Sequence, residues 1–203
     1  MLMGCLRRSH VSSLSIIFPR AQLLVSWFLP LFKHGSPLGM SFKINVDAAV
    51  GPRFSSIAAM ARDRRGELVF AGSMKVNTTL PLLAEAEAIK WALSLVPAMG
   101  NDCIIVESDC QYCVNLLNDL AEPPPWRFWS LCSELRLPLS VLDKVFVKWV
   151  PRLCNTAAHT LAKWSLSCNF FGPFDFGNCP ACFSSIILEV QEGVVALFLP
   201  SLI

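Results

Sequence analysis

The period of the hydrophobic pattern first changes near Pro81, and that change limits the fold more than any other feature. Ahead of it the pattern alternates. Ile44, Val46 and Ala48 fall on one side of an extended segment, and Lys43, Asn45, Asp47 and Ala49 on the other. Gly51-Pro52 interrupts the run, residues 56–62 read as a second strand, Asp63-Arg64-Arg65-Gly66 as a tight turn, and residues 67–76 as a third strand. Together they predict an antiparallel meander. Pro81, tolerated at the first helical position, then opens a helix. Its stripe is Leu82, Ala86, Ile89, Leu93 and Val96, with steps of four, three, four and three residues.

Beyond this helix the two periods alternate. Cys103-Ile104-Ile105-Val106 centres a strand over 102–107, apolar enough to be covered on both faces. Asp109 stands at its carboxyl end, where Ser108-Asp109 can also cap a helix running to about Leu120. Pro123-Pro124-Pro125 is a stop, 126–137 reads as helix, and 144–150 as a strand with Val145, Val147 and Trp149 alternating against Lys144, Phe146 and Lys148. Asn155 or Thr156 caps a last helix to about Ser167. The order β-β-β-α-β-α-α-β-α predicts an α/β fold: a mixed five-stranded sheet, antiparallel meander plus parallel strands, with helices on both faces. Ligands of such sheets collect beyond the carboxyl ends of strands near a topological switch, which is where Asp109 falls. The sequence has no internal repeat and no glycine-rich phosphate loop.

Composition sets the remaining bounds. A hydrophobic fraction of 54% with 16% charged residues supports a buried core and argues against disorder. The nine cysteines are odd in number and irregularly spaced, which fits a reduced, intracellular protein better than a disulfide scaffold. Five of the 17 Lys/Arg lie in residues 1–46, which hold no acid, so the rest of the chain carries 12 bases against 15 acids. A strongly basic nucleic-acid-binding surface is therefore excluded, and any hold on a phosphate backbone must come from a local patch or from bound cations. Residues 1–41 read as an apolar, basic leader, 42–190 as the folded domain, and 191–203 as an apolar tail. Arg20 and the breaks at Pro19 and Pro30 argue against a membrane span in the leader. A transit peptide for an organelle is also compatible with its composition.

Helical geometry separates the two acids of Leu83-Ala84-Glu85-Ala86-Glu87-Ala88. At about 100° per residue, Glu85 lies roughly 60° from Leu82, at the border of the buried stripe, and Glu87 roughly 140° away, toward solvent. Glu85 is thus the one able to look along the sheet edge toward Asp47. Glu107 reads as a supporting or solvent-facing acid.

Four segments in this order resemble the ribonuclease H type-1 superfamily, and most closely its plant reverse-transcriptase-associated branch, found in retroelements and as stand-alone domains. They are Lys43-Ile44-Asn45-Val46-Asp47-Ala48-Ala49, Ala84-Glu85-Ala86-Glu87-Ala88, Glu107-Ser108-Asp109, and Val150-Pro151-Arg152 with Asn155, Ala158, His159, Leu161, Ala162 and Lys163. The likeness covers about residues 42–190. It implies hydrolysis of the RNA strand of an RNA–DNA hybrid with Mg²⁺ or Mn²⁺, and it sets Asp47, Glu85 and Asp109 on three of the family's four metal-binding carboxylates. Those residue types suit the chemistry, since hard divalent cations take oxygen ligands and a metal pair needs several carboxylates on one spot. Hybrid selectivity in the family comes from minor-groove shape and 2′-hydroxyl contacts.

The sequence departs from the family at His159, where the pattern has an aspartate. A neutral imidazole suits Mg²⁺ poorly. It leaves three readings open: a ligand for Mn²⁺, a proton shuttle, or a weakened second metal site with low activity. The Pro151–Cys154 loop also lacks the histidine that some members carry there. The competing expectation is therefore a nucleic-acid-binding or interaction module of the same fold with weak or lost chemistry.

Other features have bland readings beside sharp ones. Trp126, Trp129, Trp149 and Trp164 suit base stacking, although tryptophans flanked by Leu and Val are more often core. Lys144, Lys148, Arg152 and Lys163 suit a phosphate patch or a solvated edge. Asn155 reads as a helix cap rather than a substrate contact. Cys110 and Cys113, one helical turn apart, are expected to face the sheet. Cys179-Pro180-Ala181-Cys182 has the spacing of half a zinc site, but no second pair sits nearby.

Overall fold

The structure, a computed structural model, describes residues 41–174 apart from 100–102, 119–123, 125 and 143. The leader, most of the triproline stop, the Cys179–Cys182 pair and the apolar tail lie outside the described residues. Three strands open the fold: β1 (Ser41–Val50), β2 (Ser55–Arg62) and β3 (Leu68–Val76). They pair antiparallel, with Asp47 opposite Ala58 and Ala58 opposite Ser73. The β1–β2 hairpin is closed by the Gly51 N–H donating to the Phe54 carbonyl at 3.0 Å. A Cβ at Gly51 would stand 2.7 Å from that same oxygen, so no other residue fits without moving the turn. In the β2–β3 turn, Gly66 has φ +84, and Asp63 Oδ1 accepts the N–H groups of Arg65 and Glu67.

Helix α1 (Pro81–Met99) crosses to β4 (Cys103–Ser108), followed by α2 (Gln111–Asn118), a 3-10 turn at Trp126–Phe128, α3 (Trp129–Val141) and β5 (Val145–Trp149). A second 3-10 turn, Arg152–Asn155, leads into α4 (Thr156–Cys168), and β6 (Gly172–Pro173) ends the described chain. The strand order is β5-β4-β1-β2-β3-β6, with β4 parallel to both β1 and β5. The mixed sheet thus has six strands rather than five. The sixth is two residues long, too short to carry any alternation, and it covers the outer edge of β3 at Gly72 and Ser73. The helix expected over 126–137 begins as a 3-10 turn and extends to Val141 with Pro138 inside it.

Helices cover both faces. Ile44, Val46, Ile57, Ala59, Ile104 and Val106 look toward α1 to α3, whose Ile89, Leu93, Leu117 and Leu135 complete the main core. Ala49, Ala58, Met60 and Ala71 look the other way and meet Ala157, Leu161 and Ala162 of α4 in a smaller cluster. Asn45 and Asp47 belong to this second face and are 1% exposed. The polar side of β1 is therefore buried, because α4 lies over it. The α1 stripe is buried from Ala86 onward, while Leu82 is only partly covered. No helix among the described residues is long and apolar enough to cross a membrane.

Candidate metal centre

Parallel pairing builds the centre. β1 and β4 run side by side with Val46 level with Ser108, so Asp47, in the body of β1, and Asp109, just past the end of β4, emerge one step further on from neighbouring strands. Ser108 Oγ accepts the Cys110 N–H at 3.1 Å as the chain turns into α2. That leaves the Asp109 carboxylate free of the capping role and turned to the site. Glu85 comes from the first turns of α1, where the helix meets β1. One oxygen from each of Asp47, Glu85 and Asp109 lies within 4.8 Å of the others. The structure brings together the three acids that the sequence singled out. Glu87 instead lies 4.0 Å from Lys90 on the helix flank, half-buried rather than facing solvent.

The cluster repels itself. Burial raises the Asp47 carboxyl to about 8, with Asp109 adding to the rise and Arg152 and the Ala48 N–H opposing it. Burial likewise raises Glu85 to about 9, and Asp47, Cys110 and Asp109 add to it. Asp47 Oδ1 and Glu85 Oε2 are buried without a hydrogen-bond partner among the described residues. Buried polar atoms in native proteins are nearly always paired. Two orphaned carboxylate oxygens beside a third acid make an oxygen-only donor set suited to a hard divalent cation.

A frame of polar side chains fixes these acids. Asn155 Nδ2 donates to the Val46 carbonyl at 2.8 Å and to Asp109 Oδ1 at 3.2 Å. Asn45 Nδ2 donates to Asn155 Oδ1 at 3.3 Å and to Glu107 Oε2 at 3.1 Å. Arg62 donates to Asn45 Oδ1, and Lys43 pairs with Glu107 at 3.0 Å. Glu107 is thus a supporting acid. Asn155 stands at the cap position of α4 but makes no capping hydrogen bond through its side chain, contrary to its reading as a cap. It ties α4 to β1 and to Asp109 instead.

His159 and Arg152 form the outer wall. His159 Nδ1 lies 2.7 Å from Asp47 Oδ2. The imidazole pKa is lowered, first by burial and then by Arg152 and Lys163, with Asp109 opposing. The ring is therefore neutral near pH 7 and the contact is a hydrogen bond, with Nδ1–H donating when Asp47 is ionised. His159 touches the cluster without joining the three acids whose oxygens converge. Arg152, 66% exposed, sets Nη1 3.3 Å from Asp109 Oδ2 and Nη2 3.1 and 3.0 Å from the two imidazole nitrogens. The Trp149 indole N–H donates to the Asp109 carbonyl at 3.2 Å.

A family model described as reverse transcriptase-like matches residues 45–165, which contain all four site residues. The chain belongs to this reverse transcriptase-like family. Its fold is that of ribonuclease H. RNase H1 of the archaeon Halobacterium salinarum aligns with a TM-score of 0.58 at 21% identity, over 63% of this chain and 98% of that one. The N-terminal RNase H domain of a Mycobacterium tuberculosis protein gives 0.56 at 16% identity, over 64% and 96%. An RNase H1 isolated from compost, solved in complex with an RNA/DNA hybrid, gives 0.56 at 16%, over 64% and 98%. No curated protein matches the chain.

Elsewhere the reverse transcriptase-like chain departs from expectation at its tryptophans. Trp126, Trp129 and Trp149 are 80%, 58% and 45% exposed. Trp164, the fourth of them, packs against Phe170 and Phe174. Cys113 does face the core, with its Sγ 3.6 Å from the Leu82 carbonyl.

Proposed function

We propose that this protein is a metal-dependent endonuclease that hydrolyses the RNA strand of RNA–DNA hybrids. The observation that carries this reading is the convergence of Asp47, Glu85 and Asp109 with two of their buried oxygens unpartnered. Asp47, Glu85 and Asp109 would hold Mg²⁺ or Mn²⁺. When bound, such ions neutralise phosphate charge and lower the pKa of a coordinated water. The chain's own groups do the rest. Asp47 is fixed in the body of β1, and Asp109 is fixed by Asn155, so neither acid has to reorganise as substrate arrives. The exposed guanidinium of Arg152 is placed to donate to a phosphate oxygen beside Asp109. His159, neutral and hydrogen-bonded through Nδ1, presents Nε2 as a proton acceptor at the site rim, where Arg152 donates to it at 3.0 Å. The six described cysteines carry free thiols, in keeping with a reducing, intracellular setting.

The test is cleavage of a strand-labelled RNA–DNA hybrid by the full chain in Mg²⁺ and separately in Mn²⁺, with Asp109→Asn as control. Cutting of the RNA strand that the substitution abolishes supports the reading. Equal inertness of folded wild type and variant in both metals overturns it. A second reading, a nucleic-acid-binding module of this fold without efficient chemistry, is favoured by one feature: Arg152 bridges Asp109 and His159 across the face that a second cation would approach. Saturable hybrid binding without turnover would support that module.

A further inference from the structure

At the same end of the sheet, on the far side of the β1–β2 hairpin from Asp47, lies a cavity of about 580 Å³. Its polar wall is Arg53, Lys75, Asn77, Ser167 and Asn169, and Phe54 and Leu166 line its apolar part. No carboxylate lines it among the described residues. Lys75 Nζ is held 4.1 Å from the centre of the Phe54 ring, which fixes the ammonium without neutralising it. Arg53 makes no ion pair or hydrogen bond among the described residues, whereas Lys43, Arg65, Lys90 and Arg152 all pair with acids. The end of α4 does not need these cations, because left-handed Asn169 closes it, donating its backbone N–H to the Ser165 carbonyl. Two uncompensated cations with amide and hydroxyl donors around them form a seat for a phosphate.

Two independent rulers give its distance from the carboxylates. Asp47 and Val50 are three residues apart on β1, about 10 Å at strand rise, and the hairpin carrying Arg53 follows. His159 and Ser167 are eight residues apart on α4, about 12 Å at helical rise. We infer that this cavity seats a backbone phosphate of the strand that passes the carboxylate cluster, a few nucleotides from it. The inference rests on the proposed function and names a part of its substrate grip. It also supplies the local cationic patch that the acidic balance of residues 47–203 demands.

The test is hybrid binding by the full chain in EDTA, where cleavage does not intervene, followed by fluorescence anisotropy across a salt series. The double substitution Arg53→Gln and Lys75→Gln is expected to weaken binding roughly tenfold at low salt. It should also reduce the slope of log affinity against log salt by about 0.7 to 0.9, the loss of one neutralised phosphate. Both side chains are exposed, so the thermal melt should not move, and that melt separates a lost contact from a lost fold. Wild-type affinity and slope in the double variant would overturn the inference. So would saturable binding of inorganic phosphate or AMP that the variant loses while hybrid binding stays intact, which would assign the cavity to a free phosphate. A wild type that binds but does not cut hybrid overturns the nuclease reading alone, because the binding comparison still stands.

Discussion

His159 Nδ1 lies 2.7 Å from Asp47 Oδ2, joining residues 112 positions apart. A neutral donor therefore stands where a fourth carboxylate would add charge to three acids that already resist ionising. The substitution of His159 by Asp tests what that exchange does. One more negative charge about 4 Å away attracts a divalent cation by on the order of 8 kcal/mol at an effective dielectric of 20, and most of this is cancelled by repulsion from the other acids. Calorimetric titration should show His159→Asp binding Mg²⁺ roughly tenfold more tightly, while its metal-free melting temperature falls. An unchanged Mg²⁺ affinity would place residue 159 outside the metal's reach.

Removing a buried charge from the cluster should strengthen the empty fold. Glu85 carries the larger upward shift, with burial as its first cause. Glu85→Gln is expected to raise the melting temperature in EDTA by a few degrees, since about 1 kcal/mol moves a domain of this size by roughly 2–4 °C. The same substitution should abolish cleavage. A fall in melting temperature would mean that the carboxylate has a stabilising partner the geometry does not show.

The two raised carboxyls also set a pH dependence. Asp47 and Glu85 titrate near 8 and 9 in the fold and near 3.8 and 4.5 when free. The folded state therefore holds protons that the unfolded state releases. Their contribution to stability is fully present below about pH 4 and is lost as pH rises through 8 to 9. Melts in EDTA should fall between pH 5 and pH 8. Added Mg²⁺ should flatten the trend by binding only the folded, ionised cluster. A metal-free melt that rises across this range would refute the burial of uncompensated charge.

Asn155 is 1% exposed and bonds both the Val46 carbonyl and Asp109. Asn155→Ala leaves a buried carbonyl unpaired and unlocks Asp109. A loss of about 2 kcal/mol in denaturant unfolding is expected, with cleavage reduced beyond what the stability change explains. Arg152→Ala, at an exposed position, should leave stability within about 0.5 kcal/mol while weakening hybrid binding.

The legible parts of this fold were the local ones. The meander from Ser41 to Val76 and the α1 stripe declare themselves within windows of a few residues, and helical phase alone picked Glu85 over Glu87. What stayed hidden depends on distant neighbours. Asn155 looks like a cap in sequence because its true partners, Asn45, Val46 and Asp109, lie 46 to 110 positions away. Trp126 and Trp129 sit in apolar sequence yet face outward, since flanking residues do not reveal which side of a helix is covered. β6 was missed because two residues have no period.

The hydrogen bond from Asn155 to Asp109 spans 46 positions, and every metal-binding acid precedes it. A chain made from its amino end therefore carries all three carboxylates before the residue that locks them exists. At about 5–20 residues per second, roughly 2–9 s of synthesis separate the two. Through that interval the nascent chain holds the three acids without the side chain that ties Asp109 to the frame.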